Sequence, residues 1–185
     1  QADPTRHATY NSRAKLYFNE GKLQPALQDY NKAIEHNPDR GEYYGNRGAT
    51  YARLNQFNQA IQDLNTAIEL DPNHAASYLN RAAVNDRLGR YQIAREDLKS
   101  YLQFKPGDAE IWYNYSLTSM RLNDMNEALT GINNALQLNP NKGNYYKLRA
   151  KVYIQQNQFQ QARSDAQTAA QYGQPLEPSW QQRLQ

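Results

Sequence analysis

GEYYGNRGATYARLNQFNQAIQDLNTAIELDPNH, residues 41–74, carries the pattern on which the fold turns. Its first half sets Tyr44, Gly48 and Tyr51 on one helical face, an i, i+4, i+7 stripe. Asn55 breaks the pattern, because Asn accepts the left-handed conformation that closes a helix. Phe57 leads into a second stripe of Ala60, Ile61, Leu64, Ala67 and Ile68. Asp71-Pro72 stops that helix, since proline cannot donate to the preceding turn.

The same signals recur outward in both directions. Pro38, Pro72, Pro106 and Pro140 stand 34 residues apart, with Pro4 one period upstream. Ala26, Ala60, Ala94, Ala128 and Ala162 keep that step, as do Tyr10, Tyr44, Tyr78, Trp112 and Tyr146. The break residue recurs as Gly21, Gly89, Asn123 and Asn157. Such periodicity marks stacked supersecondary units, each too small to bury its apolar face alone. Small residues at Ala14, Gly48, Ala82, Ser116 and Ala150 let two helices cross closely, and Tyr17, Tyr51 and Tyr153 fill the wedge beside them.

Composition agrees with a thin, extended stack. The 185 residues are 39% hydrophobic, and the mean hydropathy is −1.01. Elongated folds need more polar skin. Tyrosine dominates the aromatics, 15 against 4 Phe and 2 Trp, and its wettable tip suits layers close to water. The net charge of +3 comes from well-mixed residues, with no basic block of the kind that grips nucleic acid or anionic lipid. The absence of cysteine excludes disulfides, thiolate metal sites and a cysteine nucleophile. No apolar run approaches the roughly 18 residues of a spanning helix. A start at Gln1 rather than Met is what a removed export signal or a trimmed chain would leave, so the compartment stays open between cytoplasmic and exported.

No catalytic constellation stands out. His7, His36 and His74 fall at unrelated places in the period, with no metal-ligand spacing, and there is no phosphate loop or nucleophile elbow. No cofactor is expected.

The order aromatic, small, aromatic, then Ala, large apolar, Ala and Pro resembles the tetratricopeptide repeat: Tyr44, Gly48, Tyr51, Ala60, Leu64, Ala67, Pro72. The resemblance implies an all-α, right-handed superhelical solenoid of five helix-turn-helix repeats at 7–40, 41–74, 75–108, 109–142 and 143–176. Residues 1–6 then read as the end of a preceding repeat or an extension, on the mirrored Asp3-Pro4. Residues 177–185 read as the start of a sixth repeat or a capping helix, because Trp180 falls at the aromatic position. Asn85 and Ser119 depart from the second aromatic, Tyr101 from the later Ala, and Gln174 with Pro175 from the closing proline. Tyr101 is expected to fill the space that Asn85 leaves.

Arg13, Arg47, Arg81 and Arg149 share one repeat position, and Asp29, Asp63, Asp97 and Asp165 lie sixteen residues later in each case. Tyr115 and Gly131 replace both partners together in the fourth repeat. Joint loss predicts an Arg–Asp bridge inside each hairpin, with the Tyr115 ring over Gly131.

The resemblance also implies a concave groove lined by the first helices, and with it a protein or peptide partner. Its candidate contacts are Asn46, Asn80 and Asn114, then Arg53, Arg87 and Arg121, with Asn11, Lys15, Tyr113, Lys147 and Lys151 on the same surface. Asparagine donates and accepts at once and so can hold an extended backbone whatever its side chains. Arginine offers forked donors to carboxylates, which fits an acidic segment. The alternative is that Asn belongs to the repeat pattern and the Arg tips are solvated. The terminal-carboxylate clamp of the chaperone-binding members is not matched: only Asn46 is in place, with Asn11 and Lys15 where Lys then Asn are wanted, and Ala76 and Asn80 where basic residues are wanted. A structural or assembly role through the terminal repeats, by self-association or by docking to another domain, is the second reading. An RNA-binding array is the third and weakest, for want of a clearly basic groove.

Overall fold

The computed structural model describes residues 6–184, so the predicted Asp3-Pro4 extension lies outside the described residues. Every regular element among them is helical, and the chain divides into two compact units, Gln1–Phe104 and Lys105–Gln185.

The first unit holds α1 (Arg6–Asn19), α2 (Leu23–His36), α3 (Gly41–Arg53), α4 (Phe57–Leu70), α5 (Ala75–Arg87) and α6 (Tyr91–Phe104). Consecutive helices pair as hairpins, α2 packs on α3 and α4 on α5, and α1, α3 and α5 lie side by side. The second unit holds α7 (Ala109–Arg121), α8 (Met125–Leu138), α9 (Gly143–Gln155), α10 (Phe159–Gln171) and the short α11 (Pro178–Gln182). There α7 pairs with α8 and α9 with α10, α8 packs on α9, and α7 lies beside α9.

The breaks fall where the sequence places them. Asn55, Asn123 and Asn157 have φ of 59°, 59° and 60°, and Gly21 and Gly89 have 75° and 71°. At the first break the Lys22 amide donates to Tyr17 O at 2.8 Å and the Gly21 amide to Phe18 O at 3.0 Å. This pair of bonds satisfies the carbonyls that a helix end leaves open. At the other end of the second hairpin the Asn73 amide bonds Asp71 Oδ1 at 3.1 Å, turning the chain at Pro72.

The small residues are contact points. Ala14, Ala26, Ala60, Ala94, Ala128, Ala150 and Ala162 are wholly buried. A Cβ on Gly48 would come within 2.9 Å of Leu64 Cγ and 3.1 Å of Ala60 O, so only glycine lets α3 approach α4 this closely. Ser116 uses its hydroxyl at this contact, donating to Ala128 O at 2.7 Å. Around these points sit small cores: Ala14, Ala26 and Tyr30, then Ala60, Leu64 and Val84, in the first unit. In the second unit Ile132, Ala135, Leu136, Tyr145 and Leu148 form another. Burying one such Leu or Ile contributes about 1.5–3 kcal/mol, so stability accumulates hairpin by hairpin.

The Arg–Asp bridge forms inside each hairpin that has both partners. Arg47 Nε and a terminal nitrogen each reach Asp63 at 2.7 Å, and Arg149 reaches Asp165 at 2.7 and 2.9 Å. Arg13 pairs with Asp29 at 2.5 and 2.8 Å, and Arg81 with Asp97 at 2.7 and 3.0 Å. Burial raises the Asp97 carboxyl above the ordinary range, even against the hydrogen bonds and charge of Arg81. A third bond had no counterpart in the sequence reading. The remaining guanidinium nitrogen donates to an Asn of the preceding hairpin: Arg47 to Asn31 at 2.8 Å, Arg81 to Asn65 at 2.7 Å and Arg149 to Asn133 at 2.9 Å.

Two local details go beyond the repeat pattern. A Cβ on Gly131 would meet Ser116 and Trp112 atoms at 2.9–3.0 Å, and the Tyr115 hydroxyl donates to Glu127 Oε2 at the start of α8. Asn85, in place of the second aromatic, is 2% exposed and hydrogen-bonds the Asp97 carboxylate.

Candidate partner-binding face

In the first unit the face is built by α1, α3 and α5. Asn11, only 6% exposed, donates to Glu42 Oε1 at 3.3 Å and accepts from Asn46 Nδ2 at 3.1 Å. The Lys15 ammonium bonds the same Glu42 oxygen. Burial alone would raise the Glu42 carboxyl, but the hydrogen bonds from Lys15 and Asn11 outweigh it and hold the group below its ordinary value. Asn11, Lys15 and Asn46 are thus one network across two repeats. Beside it opens a cleft of about 480 Å³ whose walls include Lys15, Arg40, Glu42, Asn46, Asp71 and His74.

The arginines of this face reach back to the preceding hairpin. The Arg53 guanidinium lies 4.6 Å over the Phe18 ring and donates to Phe18 O at 2.8 Å. Arg87 donates to Asn55 Oδ1 at 3.3 Å. Asn80 is half-buried, and its amide has no partner among the described residues.

In the second unit the face is built by α7, α9 and the segment leading into α11. Tyr113 stacks on Tyr145 with ring centres 5.2 Å apart and planes at 22°. Burial raises the Tyr113 phenol, and a hydrogen bond with Asn144 partly offsets this. Asn114 is exposed and, like Asn80, has no partner among the described residues. Arg121 is exposed at the end of α7. Lys147 and Lys151 both turn to one carboxylate, Glu177, at 3.1 and 2.9 Å.

Glu177 is the residue that sequence reasoning missed. It lies 34 residues after Gly143, so it opens the sixth period, but an isolated Glu in a tail gives no sign that two lysines converge on it. The histidines are held in the fold: His7 Nδ1 meets the Tyr43 hydroxyl at 2.6 Å, His36 stacks on Tyr10, and His74 Nδ1 meets Ser77 Oγ at 2.7 Å. No cluster of acidic residues and histidines suited to a metal ion occurs among the described residues. No described helix is long and apolar enough to cross a membrane.

Comparison with solved structures finds the same fold at low identity. MamA is similar with a TM-score of 0.82 and 18% identity, over 91% of this chain and 92% of that one. YrrB, described as a TPR protein with an unusual peptide-binding site, is similar with a TM-score of 0.81 and 17% identity, over 88% and 84%. The first TPR of Spaghetti (RPAP3), solved with the HSP90 peptide SRMEEVD, has a TM-score of 0.62 and 26% identity, over 65% and 95%. No curated protein sequence gives a significant match. Family models, each described as tetratricopeptide repeat, match residues 7–40, 41–74, 64–96 and 87–152. With the period, the paired helices and these matches in agreement, the chain belongs to the tetratricopeptide repeat family.

Proposed function

We propose that the chain is a non-catalytic scaffold that holds an extended segment of a partner protein against its first-helix faces. One observation carries this reading. The charged groups around the faces are engaged by the chain itself, while Asn80 and Asn114, at one shared repeat position, keep amides free to bond a visiting backbone. An amide side chain offers both a donor and an acceptor, which matches the alternating groups of an extended peptide. Asn46 stands at the same position but already donates to Asn11, so it would serve through its remaining amide hydrogen and its carbonyl oxygen. The half-buried Tyr113 ring adds apolar contact beside Asn114. Peptide binding by the RPAP3 repeat and by YrrB supports the same use of this fold.

The test is selection of peptides from a random library on the intact chain, followed by affinity measurement against Asn46→Ala/Asn80→Ala/Asn114→Ala. Loss of tenfold or more in affinity is expected, roughly 1.4 kcal/mol for the lost bonds together. Selected peptides that bind the triple variant as tightly as the parent chain would overturn the assignment of these faces.

A further inference from the structure

Lys147 and Lys151 are one helical turn apart on α9, and their side chains are only 23% and 18% exposed. Two ammonium groups held that close to the protein surface need an anion nearby. The chain supplies Glu177, which reaches both. The bond from Lys151 is the main reason its carboxyl is drawn down to about 2, with bonds from its own backbone and Lys147 adding to it. The Lys151 ammonium also lies 5.6 Å from the Trp180 ring centre, so the segment brings an aromatic wall along with its carboxylate.

The segment that carries Glu177 is lightly held. The helix α11 has five residues, none of them buried. That is far below the length at which a helix sustains itself in water. Its anchor lies upstream, where Leu176, 4% exposed, packs on Ala150, Ile154 and Ala162. Beyond that anchor the ties are the two lysine bonds, the Trp180 and Leu184 contacts, the Gln181 bond to Leu176 O at 2.8 Å, and the Arg163 bonds to Leu184 O at 2.6 and 3.0 Å. The Glu177 side chain remains 47% exposed, so a competing anion can approach it from solvent.

The first unit offers a contrast. Lys15 holds the same repeat place as Lys151 and also meets a carboxylate of the next hairpin, Glu42. Glu42, however, belongs to the thirteen-residue α3, which is packed between neighbours and cannot leave. Only Glu177 rides on a segment that can move away while the core behind it stays intact.

We propose that the segment Glu177–Leu184 is a resident stand-in for the partner: Glu177 fills the place on α9 where an acidic residue of the bound segment is received, and it must swing out before that residue can enter. The proposal rests on the peptide-binding reading above and specifies both the charge of the partner near α9 and the chain's own control over access. On exchange, Glu177 returns to water and the incoming carboxylate takes its two lysine bonds. Before and after the exchange alike, the lysine pair faces a carboxylate.

The test uses the full chain at low ionic strength, with hexaglutamate as the probe. Glu177→Gln should bind it about fivefold or more tightly than the parent chain, since a competitor that occupies the site most of the time lowers apparent affinity by the fraction left open. Adding the probe to the parent chain should speed amide hydrogen exchange at residues 177–184 and leave α9 protected. Lys147→Ala/Lys151→Ala in the Glu177→Gln chain should abolish binding. Equal affinity of parent and Glu177→Gln, no binding to either, or binding that survives loss of both lysines would each overturn the proposal. These outcomes are separate from the fate of the broader reading. Selected peptides that depend on the asparagines while hexaglutamate fails would remove the stand-in alone, and selected peptides indifferent to the asparagines would remove the faces.

Discussion

Asp63→Ala removes the inner partner of a bridge whose geometry sets the expected cost. Asp63 is 5% exposed and takes two charge-assisted bonds from Arg47, each 2.7 Å long. The Arg47 side chain is 19% exposed and lies over Tyr44 and Tyr51, so water replaces the lost carboxylate poorly. Breaking a buried pair from one side costs about 3–5 kcal/mol. Here Arg47 keeps its bond to Asn31 and some solvent, which lowers the expectation to about 2–4 kcal/mol. Replacing both partners at once, Arg47→Met with Asp63→Leu, leaves no stranded charge. The double variant should therefore lie within about 1–2 kcal/mol of the parent chain, well short of the sum of the single losses. Urea unfolding followed by circular dichroism of all four chains gives the coupling energy, and the slope of each transition reports whether cooperativity is kept. A loss below about 1 kcal/mol for Asp63→Ala, or single losses that simply add, would refute the claim that the bridge is a coupled, desolvated unit.

Glu177 should make the C-terminal segment acid-labile. Its folded carboxyl is drawn to about 2, below the ordinary value near 4.3, so its stabilising effect is full above about pH 5 and fades as pH falls towards 2. Protection of the amides at residues 177–184, relative to their intrinsic exchange at each pH, should fall across that window, and in Glu177→Gln should stay level. Tyr43→Phe and Tyr145→Phe should behave differently. The first loses a 2.6 Å bond to His7 and costs about 1 kcal/mol, whereas the Tyr145 hydroxyl lies near Glu110 without reaching bonding geometry and its removal costs nothing or gains up to ~1 kcal/mol by thermal unfolding. Gly131→Ala should destabilise the second unit by about 1–2 kcal/mol despite alanine's better helix propensity, because the new Cβ would sit 2.9 Å from Ser116 N and 3.0 Å from Trp112 O, both backbone atoms that cannot turn aside. The shift in urea midpoint measures it.

The helices, their breaks and the Arg–Asp bridges were legible because each follows from residues repeated at one step. The positive φ at Asn55, Asn123 and Asn157 and the buried Ala60 and Ala94 are consequences of local chemistry that a single hairpin already states. The third arginine bond was hidden because its acceptor belongs to the neighbouring hairpin. Asn31, Asn65 and Asn133 keep the step, but Lys99 interrupts it, and nothing within one repeat ties them to the guanidinium. The candidate face was legible as a set of positions and opaque as a set of bonds. Sequence offered Arg53, Arg87, Lys147 and Lys151 as cations presented to a visitor, whereas the fold engages them with Phe18, Asn55 and Glu177. Long, flexible side chains take whichever acceptor comes within reach, and that depends on the lateral spacing of helices rather than on order along the chain. The Tyr115–Glu127 bond was hidden for a related reason: a ring has a direction, and order along the chain does not state where its hydroxyl points.

The guanidinium that donates inward to its own Asp and backward to a neighbour's Asn bears on how such chains can be rebuilt. A hairpin carrying this arginine is not a free-standing brick. Transplanted behind a hairpin that offers lysine or leucine at the Asn31 place, it would arrive with a donor that finds only water or a second positive charge. A recombinant array assembled from these units should therefore be cut so that each arginine travels with the asparagine ahead of it, which puts the natural splice point in the middle of a second helix rather than at the proline between repeats.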